Sequence, residues 1–334
     1  PTQHNNNTQW IRDEEERNQH IKQQEEYIIT TAELSQTINH TYNWKCPGND
    51  HIQNFWYKQF TTTHQYLTKQ INEVIINPES FPTFLTHGKT YIKPKTDETQ
   101  NPENYRPITC LPTLYKIISS TICKKIDKHL TQNNILTEEQ KGCRKYSQGC
   151  KEQLIIDTVI MKQTEKIQRN LHTCYIDYKK AFDSVPHSWL RKVLEIYKIH
   201  PTIQNFLSTI MNTWKTNIYL TTDTQHIQTS EIHIKKGIFQ GDSLSALWFC
   251  MCLNPLSNTL NNTIGGFKLK TNTTHQHTIN HLLYMDDIKI YASDRTQMNR
   301  LLKTTEQVTT DIGLEFGISK CKMLLIEKGK WGNK

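Results

Sequence analysis

The sequence predicts an α+β fold, with helices packed on one face of an antiparallel sheet. Three observations predict it. Apolar stripes at helical spacing recur, as where Ile117, Ile118, Ile122, Ile126 and Leu130 share one face. Short segments that are apolar or alternate at period two stand between them, notably 171–176 and 282–292. The two kinds of segment are interspersed along the chain, with no internal repeat.

Residues 1–40 are polar, with a charge run at Arg12-Asp-Glu-Glu-Glu-Arg17 and only a weak helical stripe. They read as a solvated helix or a tail. The turn cluster Trp44-Lys-Cys-Pro-Gly-Asn-Asp50 marks a boundary. Residues 52–76 read as one helix, which Pro78 and Pro82 end. Residues 90–94 are short and β-like. Helices are expected over 115–130 and 154–167. The strand Leu171-His-Thr-Cys-Tyr-Ile176 follows, then two helices carrying Trp189, Leu190 and Leu194, and Phe206, Leu207 and Ile210. Segments 217–222 and 231–238 alternate and predict a β-pair. A helix over 244–260, a hairpin over 282–292 and a helix over 296–311 complete the series.

The 334 residues suffice for one large domain or two ordinary ones. The hydrophobic share of 35% is low, against roughly 45–50% (glycine included) in globular proteins. A chain of this length still buries a core. The net charge of +8 suits a nucleic-acid partner. Nine cysteines, an odd count with no Cys-x-x-Cys, indicate neither a zinc site nor a disulfide scaffold. Free thiols in a reducing, intracellular compartment are expected. No apolar run approaches the roughly 18 residues of a membrane span, so no membrane partner is expected. No signal peptide is recognised. The chain opens on Pro1 rather than Met, as a piece of a longer reading frame does.

The sharpest local feature is Leu282-Leu-Tyr-Met-Asp-Asp-Ile-Lys-Ile-Tyr291, two adjacent carboxylates between apolar strand segments. A bare Asp-Asp is common at exposed turns. Here the flanking Leu282, Leu283, Ile288 and Ile290 put the tip on a half-buried hairpin. Two like charges there are costly unless a cation stands opposite, and a divalent metal does that. Cys174-Tyr-Ile-Asp-Tyr-Lys-Lys-Ala-Phe-Asp183 supplies a third, since Asp177 closes an apolar strand. Three Asp from two strands can bind two metal ions about 3.5–4 Å apart, the arrangement for in-line phosphoryl transfer.

Seven segments, in order over roughly residues 43–325, resemble the sequence blocks of reverse transcriptases of non-LTR (LINE-like) retrotransposons. They are Asn43-Trp-Lys-Cys-Pro-Gly-Asn-Asp50, Asn104-Tyr-Arg-Pro-Ile108, Glu139-Gln-Lys-Gly-Cys-Arg144, the segment Tyr175–Asp183, Gly237-Ile-Phe-Gln-Gly-Asp-Ser-Leu-Ser245, Tyr284-Met-Asp-Asp287 and Gly313-Leu-Glu-Phe-Gly-Ile-Ser-Lys320. The resemblance implies right-hand polymerase fingers and palm. Residues 1–42 become a polar N-terminal extension, 43–170 the extension block and fingers, and 171–334 a palm. The primer-gripping hairpin and the thumb are expected beyond Lys334, hence absent here. No endonuclease segment is recognised. Ala246 stands where the family has proline, which predicts a relaxed start to the following helix.

The same resemblance implies an RNA-directed DNA polymerase taking an RNA template, a DNA primer and dNTPs. Asp177, Asp286 and Asp287 become catalytic residues and ligands of two Mg²⁺ ions, with Mn²⁺ as an alternative. Phe182, five residues after Asp177, takes the place of the gate that excludes a ribose 2′-hydroxyl; plain core packing is the other reading. Gln240 and Gly241 become the floor under the nucleotide. Lys95 and Arg106 become cations for the triphosphate. Lys320 becomes a partner of pyrophosphate, with Lys322 as the alternative. Arg144 becomes a template contact, or an ordinary loop residue. A nuclear or cytoplasmic ribonucleoprotein is the expected setting. A catalytically silent, nucleic-acid-binding remnant is the competing reading.

Overall fold

Apolar and threonine-rich strands pair into two five-stranded sheets and one two-stranded sheet. The computed structural model describes residues 3–95, 97, 100–145, 147–221, 226–270 and 277–331. They fall into two compact units, neither a continuous stretch. One is Ile21–Asn133 with Leu190–Leu247; the other is Thr2–His20 with Asn134–Trp189 and Trp248–Lys334. All nine cysteines are free thiols. Among the described residues no helix is long and apolar enough to cross a membrane.

The sheet of the first unit runs in the order Tyr105–Cys110, His87–Pro94, Lys215–Thr221, His226–Gln228, and Ile232–His233 also joins Lys215–Thr221. The pair His87–Pro94 with Lys215–Thr221 is parallel and the other pairs antiparallel. The predicted β-pair thus forms with an additional strand; Thr222, at its expected edge, lies outside the described residues. Part of the interior is polar. The buried Thr90 hydroxyl lies 2.8 Å from that of Thr109 and 2.7 Å from that of Thr216. Mutually bonded hydroxyls can be buried without an unmet donor, which helps a chain with so modest an apolar share to fold. Helix Thr113–Gln132 buries the predicted stripe of Ile117, Ile118, Ile122, Ile126 and Leu130.

Two expectations fail in instructive ways. The single helix over 52–76 is two, Asn54–Gln59 and His64–Ile76, parted at Phe60 and the 3₁₀ turn Thr61–Thr63. Three consecutive threonines are poor helix formers, and the Thr63 hydroxyl donates to the Phe60 carbonyl at 2.6 Å, a local bond that competes with the helical one. Residues 1–40 are not a solvated tail. In the first unit, helix Thr31–Asn39 starts at a capping box between Thr30 and Glu33 and buries Leu34 and Ile38. Lys125, itself buried, pairs with Glu33 at 2.8 Å.

In the second unit, helix Gln9–Arg17 buries Trp10, Ile11 and Glu14. Trp10 Nε1 donates to Asp311 at 2.9 Å, and Asn258 donates to both oxygens of Glu14 at 3.0 and 2.9 Å. The sheet here is antiparallel throughout, in the order Lys330–Trp331, Lys322–Glu327, Leu171–Ile176, Asp287–Ala292, His281–Tyr284. Helix Arg295–Asp311, capped by Asp294, lies against the two central strands. The C-terminal part of helix Ser243–Asn262 reaches the edge strand, where Ser257 and the buried His281 stand 2.6 Å apart. Burial holds His281 neutral by pushing its pKa down to about 3.

The expectation of helices on one face only is corrected by helix Cys150–Lys166. Its Ile160 packs with Leu171, Leu282, Tyr291 and Ile326 on the opposite face. Those four side chains are apolar or aromatic and need a cover; the helix supplies it over one end of that face.

Candidate active site

Strands Leu171–Ile176 and Asp287–Ala292 pair with Ile288 opposite Ile176. Asp287 and Asp177 each adjoin that pair in sequence. Asp286 lies beside them in the two-residue turn that the Tyr284–Asp287 pair closes. The three carboxyls feel one another. Burial raises the Asp286 pKa above the ordinary range, and the charges of Asp287 and Asp177 raise it further. Asp287 is raised by burial and then by Asp177. Lys320 answers in part: its ammonium lies 3.4 Å from Asp177 Oδ1 and eases the charge on Asp286.

The turn is held from outside itself. Met285 has φ 55°, a left-handed conformation uncommon for such a side chain but one that two-residue hairpin turns require. Gln140, buried, grips it at both ends. Its Oε1 accepts from Met285 N at 2.9 Å, and its Nε2 donates to Met285 O at 3.2 Å. The same oxygen accepts from Gly142 N at 2.9 Å. Backbone bonds from Leu283 N to Glu139 O and from Lys141 N to Leu283 O, each 3.0 Å, lay this segment along the hairpin edge. A Cβ on Gly142 would come within 2.8 Å of Met285 N. The Cys250 and Cys143 sulfurs lie 3.6 and 3.9 Å from that of Met285.

Asp177 is clamped by the loop before Lys322. Gly317 N donates to Asp177 O at 2.7 Å, and Lys179 N to Glu315 O at 2.8 Å. A Cβ on Gly317 would stand 2.9 Å from Asp177 Oδ1, so any side chain there would oblige that carboxyl or the loop to shift. Two residues back along each strand, Lys289 reaches Asp157 at 2.6 Å and also donates to the Tyr175 hydroxyl. Tyr291 donates to Asp157 at 2.9 Å. This network ties helix Cys150–Lys166 to both carboxylate-bearing strands. A cavity of about 560 Å³ runs from Asp177, Asp287 and Lys320 to Leu154, Tyr175 and Lys289.

The other sequence candidates divide between the units. Phe182, in the second, is half-buried and stacks on the buried Phe249 at 4.5 Å with 15° between the planes. Lys320 is the lysine beside Asp177, whereas Lys322 sits opposite Tyr175 on a sheet strand. Arg144 turns its guanidinium on its own loop, donating to the Leu136 and Thr137 carbonyls at 2.9 and 2.7 Å and to Glu138 at 2.8 Å.

In the first unit, Gln240 O accepts from Thr109 N at 3.2 Å. Gly241 has φ 117°, and a Cβ there would lie 3.0 Å from Thr109 O. The Gln240-Gly241 turn is therefore moored to the strand that carries Arg106. Arg106 is exposed and stands directly opposite Lys93. Lys95 N donates to Asn104 O at 2.7 Å at the same end of that hairpin. Like charges facing each other across two strands destabilise, and among the described residues neither Lys93 nor Arg106 meets a carboxylate. Such a pair suits an anion. Asp242 follows Gly241 and is fully buried, with its pKa pushed up to about 6 by burial against the opposing pull of Ser119 and the backbone N–H groups of Ser243 and Leu244. It accepts from the first backbone N–H groups of helix Ser243–Asn262.

Gln140, Lys93, Asp242 and Gly317 were not singled out from the sequence as functional, although all but Lys93 lie inside quoted blocks. Their partners are remote: Gln140 and Met285 are 145 positions apart. Composition alone marks none of them.

Chemically, the carboxylate cluster is a set of hard oxygen donors whose repulsion a divalent cation relieves. Burial first, and the neighbouring carboxylates second, raise the pKa values of Asp286 and Asp287. Among the described residues no three His, Cys, Asp or Glu side chains converge as a ready-made ion cage; Lys320 is the cation that already lies on Asp177.

A family model described as reverse transcriptase (RNA-dependent DNA polymerase) matches residues 93–331. A Pol polyprotein from the type-1 retrotransposable element R2 of Popillia japonica is 28% identical over 225 residues, 67% of this chain and 30% of that protein. The type-2 element R2DM of Drosophila melanogaster is 23% identical over 252 residues, 75% and 22% of the two chains. The transposon TX1 149 kDa protein of Xenopus laevis is 23% identical over 314 residues, 91% and 22%. The chain thus spans between a fifth and a third of the length of these relatives. The match across residues 93–331, and the company of the R2 and TX1 elements, place the chain in the reverse transcriptase family, as a domain of the non-LTR retrotransposon kind.

Proposed function

We propose that the chain is the nucleotide-adding part of a retroelement polymerase that copies RNA into DNA. One observation carries the reading: two paired strands bring the charge of Asp177 to bear on both Asp287 and Asp286, the latter in the adjoining turn. In this reading the second unit's sheet is the palm and the Lys93–Arg106 hairpin belongs to the fingers.

Asp177, Asp286 and Asp287 would hold two Mg²⁺ ions, and bound there the ions would supply Lewis-acid stabilisation of the attacking and leaving oxygens. The rest falls to side chains. Arg106, Lys93 and Lys95 offset the triphosphate charge, which is how phosphoryl transfer is assisted when the protein has little covalent chemistry to do. The Gln240-Gly241 turn supports the base and sugar. Phe182, backed by Phe249, fills the space of a 2′-hydroxyl. Lys320, already on Asp177, is placed to follow charge onto pyrophosphate as it leaves.

Primer extension by the chain within its own full reading frame tests the proposal. Extension on an RNA template with dNTPs, refusal of NTPs, and admission of NTPs by Phe182→Val are the expected results. A Phe182→Val protein with unchanged selectivity makes the ring core packing. Nucleic-acid binding with no extension under any condition makes the chain a silent remnant.

A further inference from the structure

Beside the carboxylate turn lies a second cluster, made of sulfur. The Sγ atoms of Cys250 and Cys143 lie 3.6 and 3.9 Å from Met285 Sδ, and the two thiols are within hydrogen-bonding reach of each other. The three donors come from three places in the second unit. Cys250 is on helix Ser243–Asn262, where its thiol also lies 3.8 Å from Gly142 O. Cys143 follows the segment laid along the hairpin edge, and Met285 is the first residue of the turn.

Two of the three are held before any ligand arrives. The Gln140 amide bonds Met285 N, Met285 O and Gly142 N, so one side chain fixes the backbone at Met285 and next to Cys143. Outer hydrogen bonds of this kind orient metal ligands. Cys250 is fully buried and Cys143 is exposed, which gives the cluster a dry end and an end open to an entering ion. The Cys143 thiol, and then burial, push the Cys250 thiol well above its ordinary pKa, so its proton leaves only when a cation displaces it.

Size and softness select the ion. A metal–sulfur bond is about 2.3 Å in zinc thiolates, and three sulfurs at that distance in a plane around one ion stand about 4 Å apart. The separations of 3.6 and 3.9 Å are of that order. Two thiols and a thioether are soft donors that suit Cu(I). Zinc takes four ligands, and among the described residues no third His, Cys, Asp or Glu joins the two thiols. Cysteine and methionine also serve as soft core filler; that accounts for Cys250 but not for an exposed thiol on the same thioether.

We propose that Cys143, Cys250 and Met285 form a Cu(I) site, separate from the carboxylate cluster and independent of the polymerase reading. The ion takes the place of the two thiol protons, which pass to water on the Cys143 side, and the Met285 thioether donates a lone pair. Copper enters and stays as Cu(I), so no electron changes hands. Hard Mg²⁺ and soft Cu(I) would then sort themselves onto different atoms of one hairpin turn.

The test is an anaerobic titration of the reduced protein with Cu(I) held by bicinchoninate, whose colour reports the copper withdrawn. Cys143→Ser, a change at an exposed thiol, should withdraw about one equivalent less than the parent. X-ray absorption of the parent with one equivalent should show three sulfurs at about 2.3 Å, and Met285→Leu should lose one of them. That equivalent should raise the parent's melting temperature by about 5 °C and leave Cys143→Ser unmoved. Cys46→Ser, which removes an exposed thiol of the first unit, should keep the whole shift, and so should Asp286→Ala. Equal uptake by parent and Cys143→Ser overturns the proposal. So do equal losses in Cys46→Ser and Cys143→Ser, which make the uptake general to thiols, and so does an ion ringed by nitrogen or oxygen.

Discussion

Two hairpins in this chain carry charge, and they are built in opposite ways. The carboxylate turn at Met285-Asp286 is gripped by Gln140 and flanked by Gly142, Cys143 and Cys250. The hairpin of His87–Pro94 and Tyr105–Cys110 sets Lys93 opposite Arg106, both exposed. The first spends buried hydrogen bonds on position. The second leaves its cations exposed to solvent. Placement demands differ: a metal-binding carboxylate misplaced by about 1 Å can cost a hundredfold in rate, while a solvated cation acts over a Debye length of about 8–10 Å.

The contrast can be broken in order of effect. Asp286→Ala should abolish nucleotide addition, by roughly a thousandfold or more, because a cation clamp supplies several kcal/mol of transition-state stabilisation. Single-turnover addition checks this; residual activity within about tenfold would remove the carboxylate from the chemistry. Gln140→Ala leaves Met285 N and Gly142 N without their acceptor. It should lower the rate about a hundredfold and cost about 1–3 kcal/mol of stability, read by urea unfolding. A loss of stability with full activity would show that the turn holds itself. Arg106→Ala should raise the KM for dNTP about tenfold with a nearly unchanged rate at saturation, and a kcat effect of equal size would place the guanidinium in the transition state instead.

The smallest effect is thermal. Because the folded pKa values of Asp286 and Asp287 are raised, the stability associated with them is fully present below the unfolded carboxylate range. It is lost as pH rises through the folded values. Asp286→Asn should therefore gain in melting temperature relative to the parent as pH goes from 3.5 to 7. Mg²⁺ at neutral pH should raise the parent's melting temperature and not that of an Asp286→Asn, Asp287→Asn double variant. Lys93→Thr should show neither response. Identical pH profiles for parent and Asp286→Asn would mean that the turn is solvated.

Much of the carboxylate site was legible, because a strand announces itself by local apolar residues. Leu171–Ile176 and the Leu282–Ala292 hairpin put Asp177, Asp286 and Asp287 at strand ends on sequence evidence alone. The supports were not legible. Gln140 reads as one polar residue among many until the fold brings it to Met285, and Lys93 acquires meaning only from the register that faces it with Arg106. The break at Phe60 was hidden because the apolar spacing continues across it while the threonines, not the apolar residues, decide. Residues 1–40 look solvated by composition; Trp10 and Glu14 are buried through partners, Asp311 and Asn258, that lie hundreds of positions away.

Gly317 carries a consequence for inheritance. Any other residue there meets Asp177 Oδ1 at 2.9 Å and must turn that carboxyl aside or push the loop away. A copy could keep Asp177, Asp286 and Asp287, fold normally, and still hold the Asp177 carboxyl in another place because of one codon at position 317.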